Sequence, residues 1–190
     1  MESLLGQYKL DNLIKLAKKT PDGCVIELGV YKGGTLKALA EEFPKRHLFG
    51  FDTFEGMPSE FYNETEGHGP GDFPVVYEEV REFLSPFNNV QLIKGVFPES
   101  MSNFPYSVNY LTHAFKNISF IHMDMDHGEP TRIALEMFWD KMVPKGIILF
   151  DDYDWHACRN IKPVVDAFAE KHGLTVHKLT EHQAYVVKDL

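Results

Sequence analysis

The sequence predicts an α/β domain with a seven-stranded, mostly parallel sheet, helices on both faces and an antiparallel last strand. Five short apolar runs, rich in β-branched and aromatic residues, alternate with segments of helical periodicity. This alternation is typical of right-handed βαβ units. Two of the runs, 119–126 and 147–153, end abruptly in carboxylates. Two further runs then follow without a helix between them, which indicates that the last strand enters the sheet antiparallel.

The predicted elements follow one another without internal repeats or low-complexity segments. An N-terminal helix is predicted within residues 1–21, because apolar residues recur there at helical spacing before Pro21 and Gly23. The predicted strands are 24–30, 47–52, 90–94, 119–126, 147–153, 174–179 and 184–188. The predicted helices are 36–43, 75–84, 131–142 and 157–172, the last interrupted or restarted at Pro163, and residues 105–115 are expected to be irregular and then helical.

Size, composition and charge limit the classes of protein to which the chain can belong. The chain has 190 residues, 44% hydrophobic and 25% charged, as expected of one globular domain over 1–190. A formal net charge of -9 argues against nucleic acid or an anionic membrane as the main partner. Cys24 and Cys158 are too few for a disulfide framework, and neither a signal peptide nor a membrane-spanning run is visible. We therefore expect a soluble cytoplasmic protein.

Four carboxylates follow the two central strands: Asp124 and Asp126 after the first, Asp151 and Asp152 after the second. Ligands of open parallel sheets bind at the carboxyl ends of the strands, where these side chains would meet. Unpaired carboxylates repel one another, and a hard cation would relieve that repulsion. Alternatively, each Asp caps the helix that follows, which explains one carboxylate per strand better than it explains two pairs. The pattern favours a metal site.

A glycine-rich turn follows the first strand, in the segment 27–35. Glycines let the backbone approach a ligand, and a helix N-terminus suits a carboxylate or phosphate. A methionine-type carboxylate fits, and Glu27 could accept a hydrogen bond from its ammonium group. The spacing is not Gly-x-Gly-x-x-Gly, which disfavours an NAD-dependent oxidoreductase. The alternative is a turn that serves packing alone.

Asp52 and the segment after it complete the predicted site. Asp52 ends the second strand, 25 residues beyond Glu27, where an acid binds ribose hydroxyls in nucleotide-binding folds. It could also simply terminate its strand. Residues 54–74 are rich in Gly and Pro and show no period. Because a loop of this length inside a compact domain is usually functional or disordered, we predict that it is a lid over the site.

Five sequence blocks taken together resemble the macrocin O-methyltransferase (TylF-type) family of class I S-adenosylmethionine-dependent methyltransferases. The blocks are 27–35, 51–58, 92–97, 123–126 with Thr131, and 149–153 with Ala157 and Cys158. The resemblance covers about residues 22–172. It implies a Rossmann-like fold and methylation of sugar or other hydroxyls in natural-product biosynthesis. It also implies S-adenosylmethionine as methyl donor and a divalent metal, usually Mg²⁺.

The resemblance also implies roles for individual residues. Cofactor contacts are expected at Glu27, Gly29, Val30, Tyr31, Gly34, Thr35, Asp52, Thr53, Gly95, Phe97 and Asp124. The implied metal ligands are Asp124, Asp151 and Asp152, with Asp124 also the candidate general base. Among the histidines, His127 and His156 follow the acidic segments and are candidates for base or acceptor contact, of which His127 is preferred. His122 lies within a strand and is predicted to be a core residue.

Two departures from the family bear on the acceptor, which is predicted to be a small hydroxylated molecule. Gly128 stands where the family commonly has Tyr, and only about 20 residues precede the first strand, where the family commonly has an extension that helps to form the lid. The acceptor is therefore expected to be smaller, more exposed, or bound with help from a second subunit. A homodimer is an expectation from the family.

Three other functions share features with this sequence. A haloacid-dehalogenase-like phosphatase shares the Asp-x-Asp run, but that motif normally stands early in the chain, whereas here it begins at Asp124. A catechol-type O-methyltransferase has the same fold and a similar metal triad for a planar diol, but its final ligand is typically Asn where this chain has Asp152. A cofactor-binding module without turnover would have no need of three carboxylates at one sheet edge.

Overall fold

The computed structural model describes residues 5–65, 67–103, 115 and 117–189. Its seven strands form one sheet in the order β3-β2-β1-β4-β5-β7-β6. The strands are β1 (Cys24–Leu28), β2 (Leu48–Asp52), β3 (Val90–Lys94), β4 (Ile118–Met123), β5 (Met142–Phe150), β6 (His177–Lys178) and β7 (Ala184–Val187). The helices are α1 (Gln7–Ala17), α2 (Gly34–Glu42), α3 (Tyr77–Leu84), α4 (Gly128–Phe138) and α5 (Ile161–His172).

Strands β1 to β5 pair in parallel, and β7 runs antiparallel to both β5 and β6. The predicted fold class, including the antiparallel last strand, is therefore confirmed. The order changes direction between β1 and β4, where the chain crosses from one half of the sheet to the other. Ligands of open α/β sheets bind at such a switch point, outside the carboxyl ends of the strands.

Helices cover both faces of the sheet, because successive strand residues point to opposite sides. On one face, Val25 and Phe120 pack in a buried cluster with α1, α2 and α3. On the other face, Ile26 and Ile121 pack in a second buried cluster with α4 and α5. The central strands β1 and β4 are buried at every position, as strands covered on both faces must be.

Several predicted element boundaries were wrong. The strand predicted at 147–153 begins at Met142, which pairs with Ile118, and ends at Phe150. The helix predicted at 131–142 spans Gly128–Phe138 and continues as a 3₁₀ turn, Trp139–Lys141. The helix predicted from 157 begins at Ile161. Pro163 lies in its first turn, where a backbone donor is not needed.

The strand predicted at 174–179 is shorter than expected, since only His177–Lys178 pair with β7. The predicted irregular and helical segment at 105–115 lies outside the described residues except for Phe115, which is buried in the core. Within the described part of the chain, no helix has the length and apolar character needed to cross a bilayer.

Candidate active site

A cavity of about 540 Å³ opens at the carboxyl edge of the sheet, in the volume range of small-molecule sites. Residues at the carboxyl ends of β1, β2, β3, β4 and β5 all line it, among them Gly29, Asp52, Gly95, Asp124 and Asp151. The parallel strands bring these residues together because their carboxyl ends share one edge. The predicted cofactor residues Val30, Tyr31, Gly34, Thr35, Thr53 and Phe97 also line the cavity.

The turn between β1 and α2 forms one wall. Gly29 has a φ of +92°, and a Cβ atom there would lie 1.8 Å from the backbone oxygen of Asp124. The close approach of β1 to β4 therefore requires glycine at this position. Gly34 and Thr35, the first residues of α2, line the cavity, so the helix N-terminus offers it amide groups suited to an anion.

Asp52 binds this turn directly. Its Oδ2 accepts hydrogen bonds from the backbone amides of Val30 at 2.8 Å and Tyr31 at 2.7 Å. Its Oδ1 accepts one from the amide of Phe54 at 2.7 Å. The carboxylate thus holds the β1–α2 turn and the start of the loop after β2. Oδ1 retains a lone pair that a ribose hydroxyl could use, because a carboxylate oxygen accepts two hydrogen bonds.

Glu27 lies behind the cavity wall and is not among the residues that line it. It is 1% exposed, and its Oε1 is 3.0 Å from Nδ1 of His122. Within the described residues, its Oε2 has no hydrogen-bond partner. Burial raises the pKa of Glu27, although its hydrogen bond to His122 acts in the opposite direction. The predicted contact between Glu27 and the cofactor ammonium would therefore use a buried oxygen.

His122 is fully buried, as its position inside β4 indicated, but it is also an ionic link between two acids. Nε2 lies 3.8 Å from Oδ1 of Asp151, on the opposite side of the ring from Glu27. Burial alone would lower the pKa of the imidazole, but the carboxylates of Asp151 and Glu27 raise it to about 10. His122 is therefore protonated at neutral pH and connects the β1 acid with the β5 acid.

The four carboxylates predicted to crowd the edge of the sheet do so, but they divide into two sets. Carboxylate oxygens of Asp124, Asp126 and Asp152 all lie within 4.8 Å of one another. Asp126 joins them from a left-handed conformation, with φ +60°. This all-oxygen set suits a hard cation such as Mg²⁺. Burial and the neighbouring charges of Asp151 and Asp152 raise the pKa of Asp124 well above its usual value.

Asp151, a predicted metal ligand, is engaged elsewhere. Its Oδ1 accepts a hydrogen bond from Nε2 of Gln183 at 2.8 Å, and its Oδ2 pairs with Nζ of Lys9 at 2.7 Å. Burial alone would raise the pKa of Asp151, but His122 and Lys9 more than offset this and hold it below its usual range. The Lys9 ammonium also lies 3.3 Å from Oδ1 of Asp152, so a cation already stands between the two β5 acids.

His127, the second predicted catalytic residue, is 1% exposed and lines the cavity. Its Nε2 lies 3.1 Å from the backbone oxygen of His68. A carbonyl can only accept a hydrogen bond, so Nε2 carries a proton. Nδ1 is buried and, among the described residues, has no partner. His127 therefore ties α4 to the loop 54–74. The other candidate, His156, is exposed and does not line the cavity.

Described residues of the loop 54–74 line the cavity, among them Met57, Phe61, His68 and Phe73. Apart from one short 3₁₀ turn, Ser59–Phe61, the loop has no regular structure among its described residues. The amide of Gly67 donates to the oxygen of Ala157 at 2.7 Å, which attaches the loop to the segment after β5. The rings of Phe73, His68 and Trp155 stand in succession, with centroids 4.9 Å and 5.4 Å apart. Together they form an aromatic wall.

A profile of the Macrocin-O-methyltransferase (TylF) family matches residues 2–184 of the chain. The chain belongs to the TylF family. The resemblance seen in the five sequence blocks is thereby confirmed, and the match extends beyond the segment that the blocks covered, over α1 and up to Ala184, the first residue of β7.

Two curated relatives are named as O-methyltransferases, and the name of the first includes a rhamnosyl group. The chain is 28% identical over 179 residues to 8-demethyl-8-(2,3-dimethoxy-alpha-L-rhamnosyl)-tetracenomycin-C 4'-O-methyltransferase of Streptomyces olivaceus. It is 24% identical over 202 residues to mycinamicin III 3''-O-methyltransferase of Micromonospora griseorubida. The matches cover 83% and 91% of this chain, but 65% and 72% of the relatives. The TylF-family chain thus spans about two thirds of their length.

Solved structures show the same fold. The O-methyltransferase NovP superposes with a TM-score of 0.80 at 20% identity, over 100% of this chain and 83% of NovP. The calicheamicin methyltransferase CalS11 superposes with a TM-score of 0.76 at 21% identity, over 94% of this chain and 76% of CalS11. The class I methyltransferase fold predicted for this TylF-family chain is therefore confirmed.

Two residues of the site were missed by sequence reasoning, Lys9 and Gln183. Lys9 precedes the buried Leu13 and Leu16 by four and seven residues, so it lies on the core face of α1. A lysine on that face was a usable signal, because a buried ammonium requires an acidic partner. Gln183 follows a turn between short strands, where a polar residue is ordinary, and no signal distinguished it.

Proposed function

We propose that this protein transfers the methyl group of S-adenosylmethionine to a hydroxyl group of a small, sugar-bearing acceptor. One observation supports this most strongly. In a TylF-family chain, the α2 N-terminus, the β2 acid and the acidic cluster of β4 and β5 line one continuous cavity. A methyl donor with an amino-acid end and a nucleoside end fits between the first two, and its methyl group would then lie near the third.

The methyl donor is assigned to the half of the cavity formed by β1 and β2. The amides at the start of α2 would bind its carboxylate, and Asp52 would accept a hydrogen bond from a ribose hydroxyl. Phe97 follows β3 and lines the same half, where an adenine ring needs an apolar surface. Gly29 keeps the floor clear for close approach of the donor to β4.

The acceptor is assigned to the half formed by β4, β5 and the loop 54–74. Its hydroxyl oxygen would attack the methyl carbon as the carbon–sulfur bond breaks, which releases S-adenosylhomocysteine, and its proton would pass to Asp124. The aromatic wall of Phe73, His68 and Trp155 offers a surface on which the apolar face of a sugar can stack.

We propose that Asp124, Asp126 and Asp152 hold a divalent cation, with Asp151 as a fourth candidate that is paired with Lys9. A cation there would lower the pKa of the acceptor hydroxyl. The set implied by the family resemblance, Asp124, Asp151 and Asp152, differs from this one in a single member. The two sets separate in a Mn²⁺ titration of Asp126→Asn and Asp151→Asn: the set supported by geometry predicts that Asp126→Asn weakens binding more.

The first experiment is calorimetry of S-adenosylhomocysteine binding, with and without Mg²⁺, on the wild type and Asp152→Asn. Binding to both proteins, with a Mg²⁺ heat that disappears in the variant, supports the donor and cation sites together. Binding without a Mg²⁺ heat keeps the methyltransferase and removes the metal. Absence of binding to the wild type contradicts the proposed function.

The acceptor class needs a direct assay. Methyl transfer from labelled S-adenosylmethionine should be measured on rhamnosylated phenols, on the same phenols without the sugar, and on catechol. The proposal predicts product with the glycosides alone. Methylation of catechol instead would favour the catechol-type alternative. A cytoplasmic location and a homodimer stay predictions, which fractionation and sedimentation would check.

A further inference from the structure

Lys9 stands inside the acidic cluster although it comes from the far end of the sequence. It lies in the first turn of α1, and its ammonium is 2.7 Å from Oδ2 of Asp151 and 3.3 Å from Oδ1 of Asp152. It is also 3.3 Å from the backbone oxygen of Asp151. The Lys9 side chain is 16% exposed and lines the cavity. This contact is thus part of the site and not a surface ion pair.

The helix delivers the ammonium from a fixed position. Leu13 and Leu16 bury the same face of α1 against the sheet. Nδ2 of Asn12 donates to Oε1 of Gln183 at 3.2 Å, and Nε2 of Gln183 donates to Oδ1 of Asp151. The body of the helix and the Asp151 carboxylate are therefore joined through a buried glutamine. The first turn is docked at the same place, because Nε2 of Gln183 also donates to the backbone oxygen of Lys9 at 3.4 Å and Leu5 packs against the buried cluster.

The ammonium and a divalent cation would compete for the same charge. In the described part of the chain, Lys9 supplies the lysine ion pairs of Asp151 and Asp152, and His122 approaches Asp151 from behind the cavity. A cation bound by Asp124, Asp126 and Asp152 would share Asp152 with Lys9. Two positive centres on one carboxylate in a partly buried site repel one another strongly.

We propose that Lys9 is a built-in counter-ion that a divalent cation must displace, so that metal binding and the docking of the first turn of α1 exclude one another. The inference rests on the cation site of the proposed function. Leu5 and Gly6, just before this turn, also line the cavity. Undocking of the first turn would therefore move the wall next to the acidic cluster, and cation binding would reshape the acceptor half of the cavity.

The test is a Mn²⁺ titration by calorimetry, in saturating S-adenosylhomocysteine, of the wild type, Lys9→Met and Lys15→Met. Lys15 is an exposed lysine of the same helix and is the matched control. We expect Lys9→Met to bind Mn²⁺ at least about tenfold more tightly, with Lys15→Met like the wild type. Equal or weaker binding by Lys9→Met, or no Mn²⁺ binding by any of the proteins, overturns the inference.

Hydrogen exchange on the wild type gives a second test, which does not depend on whether a variant folds. The amide of Leu10 donates to the oxygen of Gly6 at 3.1 Å in the first turn of α1. Addition of Mn²⁺ to the wild type should speed exchange in a peptide that spans residues 5–11 and leave α5 unchanged. Slower or unchanged exchange overturns the inference. S-adenosylhomocysteine binding is measured in the same samples. If it is absent, the proposed function itself is contradicted; if it is present, a negative exchange result contradicts the Lys9 inference alone.

Discussion

The α-carbon of Gly29 packs directly on the backbone carbonyl of Asp124, so closely that a methyl group on Gly29 would lie 1.8 Å from that oxygen. The amide of Asp124 donates to the oxygen of Leu28 at 2.8 Å, which continues the β1–β4 pairing one residue beyond the strands. The floor of the donor half and the first acid of the acceptor half are thus one backbone contact. A change at Gly29 moves both.

Gly29→Ala is expected to lower the free energy of unfolding by about 3 kcal/mol, because it adds a backbone clash to a strained positive φ. Urea denaturation followed by circular dichroism measures this. Gly69→Ala is the matched control, since a Cβ atom there meets nothing within 4 Å. Equal stability of the two variants would show that β1 and β4 separate easily at this point.

Asp52→Asn is expected to weaken S-adenosylhomocysteine binding at least about tenfold. The substitution removes the charge that holds the amides of Val30 and Tyr31, and hydrogen bonds to a charged group contribute about 1.5–3 kcal/mol each. Calorimetry measures the affinity, and melting temperature measures any loss of stability. Undiminished affinity would mean that neither the turn nor the ribose depends on the Asp52 charge.

His127→Gln is expected to make the loop 54–74 more sensitive to proteolysis, because His127 ties that loop to α4 through the oxygen of His68. Glutamyl endopeptidase provides the assay, since Glu60 and Glu64 are exposed in the loop. His156→Gln, at an exposed histidine nearby, is the control. If the two variants are cleaved equally and methyl transfer is lost in His127→Gln alone, His127 acts as a general base and not as the residue that attaches the loop to α4.

The stability of the protein is expected to fall as the pH rises from about 6.5 to about 10. His122 has a folded-state pKa of about 10, above its unfolded value of about 6.5. Its contribution is therefore complete below the unfolded value and is lost as the pH rises through the folded value, at up to about 1.4 kcal/mol per pH unit.

His122→Gln isolates this effect. The variant should be less stable than the wild type at pH 6, and the difference should shrink towards pH 10, as measured by urea denaturation at each pH. A constant difference across this range would mean that the imidazole is neutral in the folded protein.

The positions of the acids at the ends of the strands were predictable from the sequence, because an apolar run that ends in acids fits few positions in a folded domain. Runs buried on both faces, separated by helices, must form a parallel sheet, and acids at their carboxyl ends must meet at one edge. Asp52, Asp124, Asp151 and Asp152 all line the cavity for this reason. The glycine turn was predictable on the same ground.

Which acids at that edge pair with Lys9, and which lie close to one another, was not predictable, because this depends on contacts between distant parts of the chain. The pairing of Lys9 with Asp151 spans 142 positions and arises from the docking of α1. Asp126 reaches Asp124 and Asp152 through a left-handed backbone conformation that no sequence pattern indicated. Local sequence determines which side chains arrive at the sheet edge, since strand ends and turns are local. Which of them meet as ion pairs, and which converge on a cation, depends on packing and backbone direction, and the tertiary structure alone specifies these.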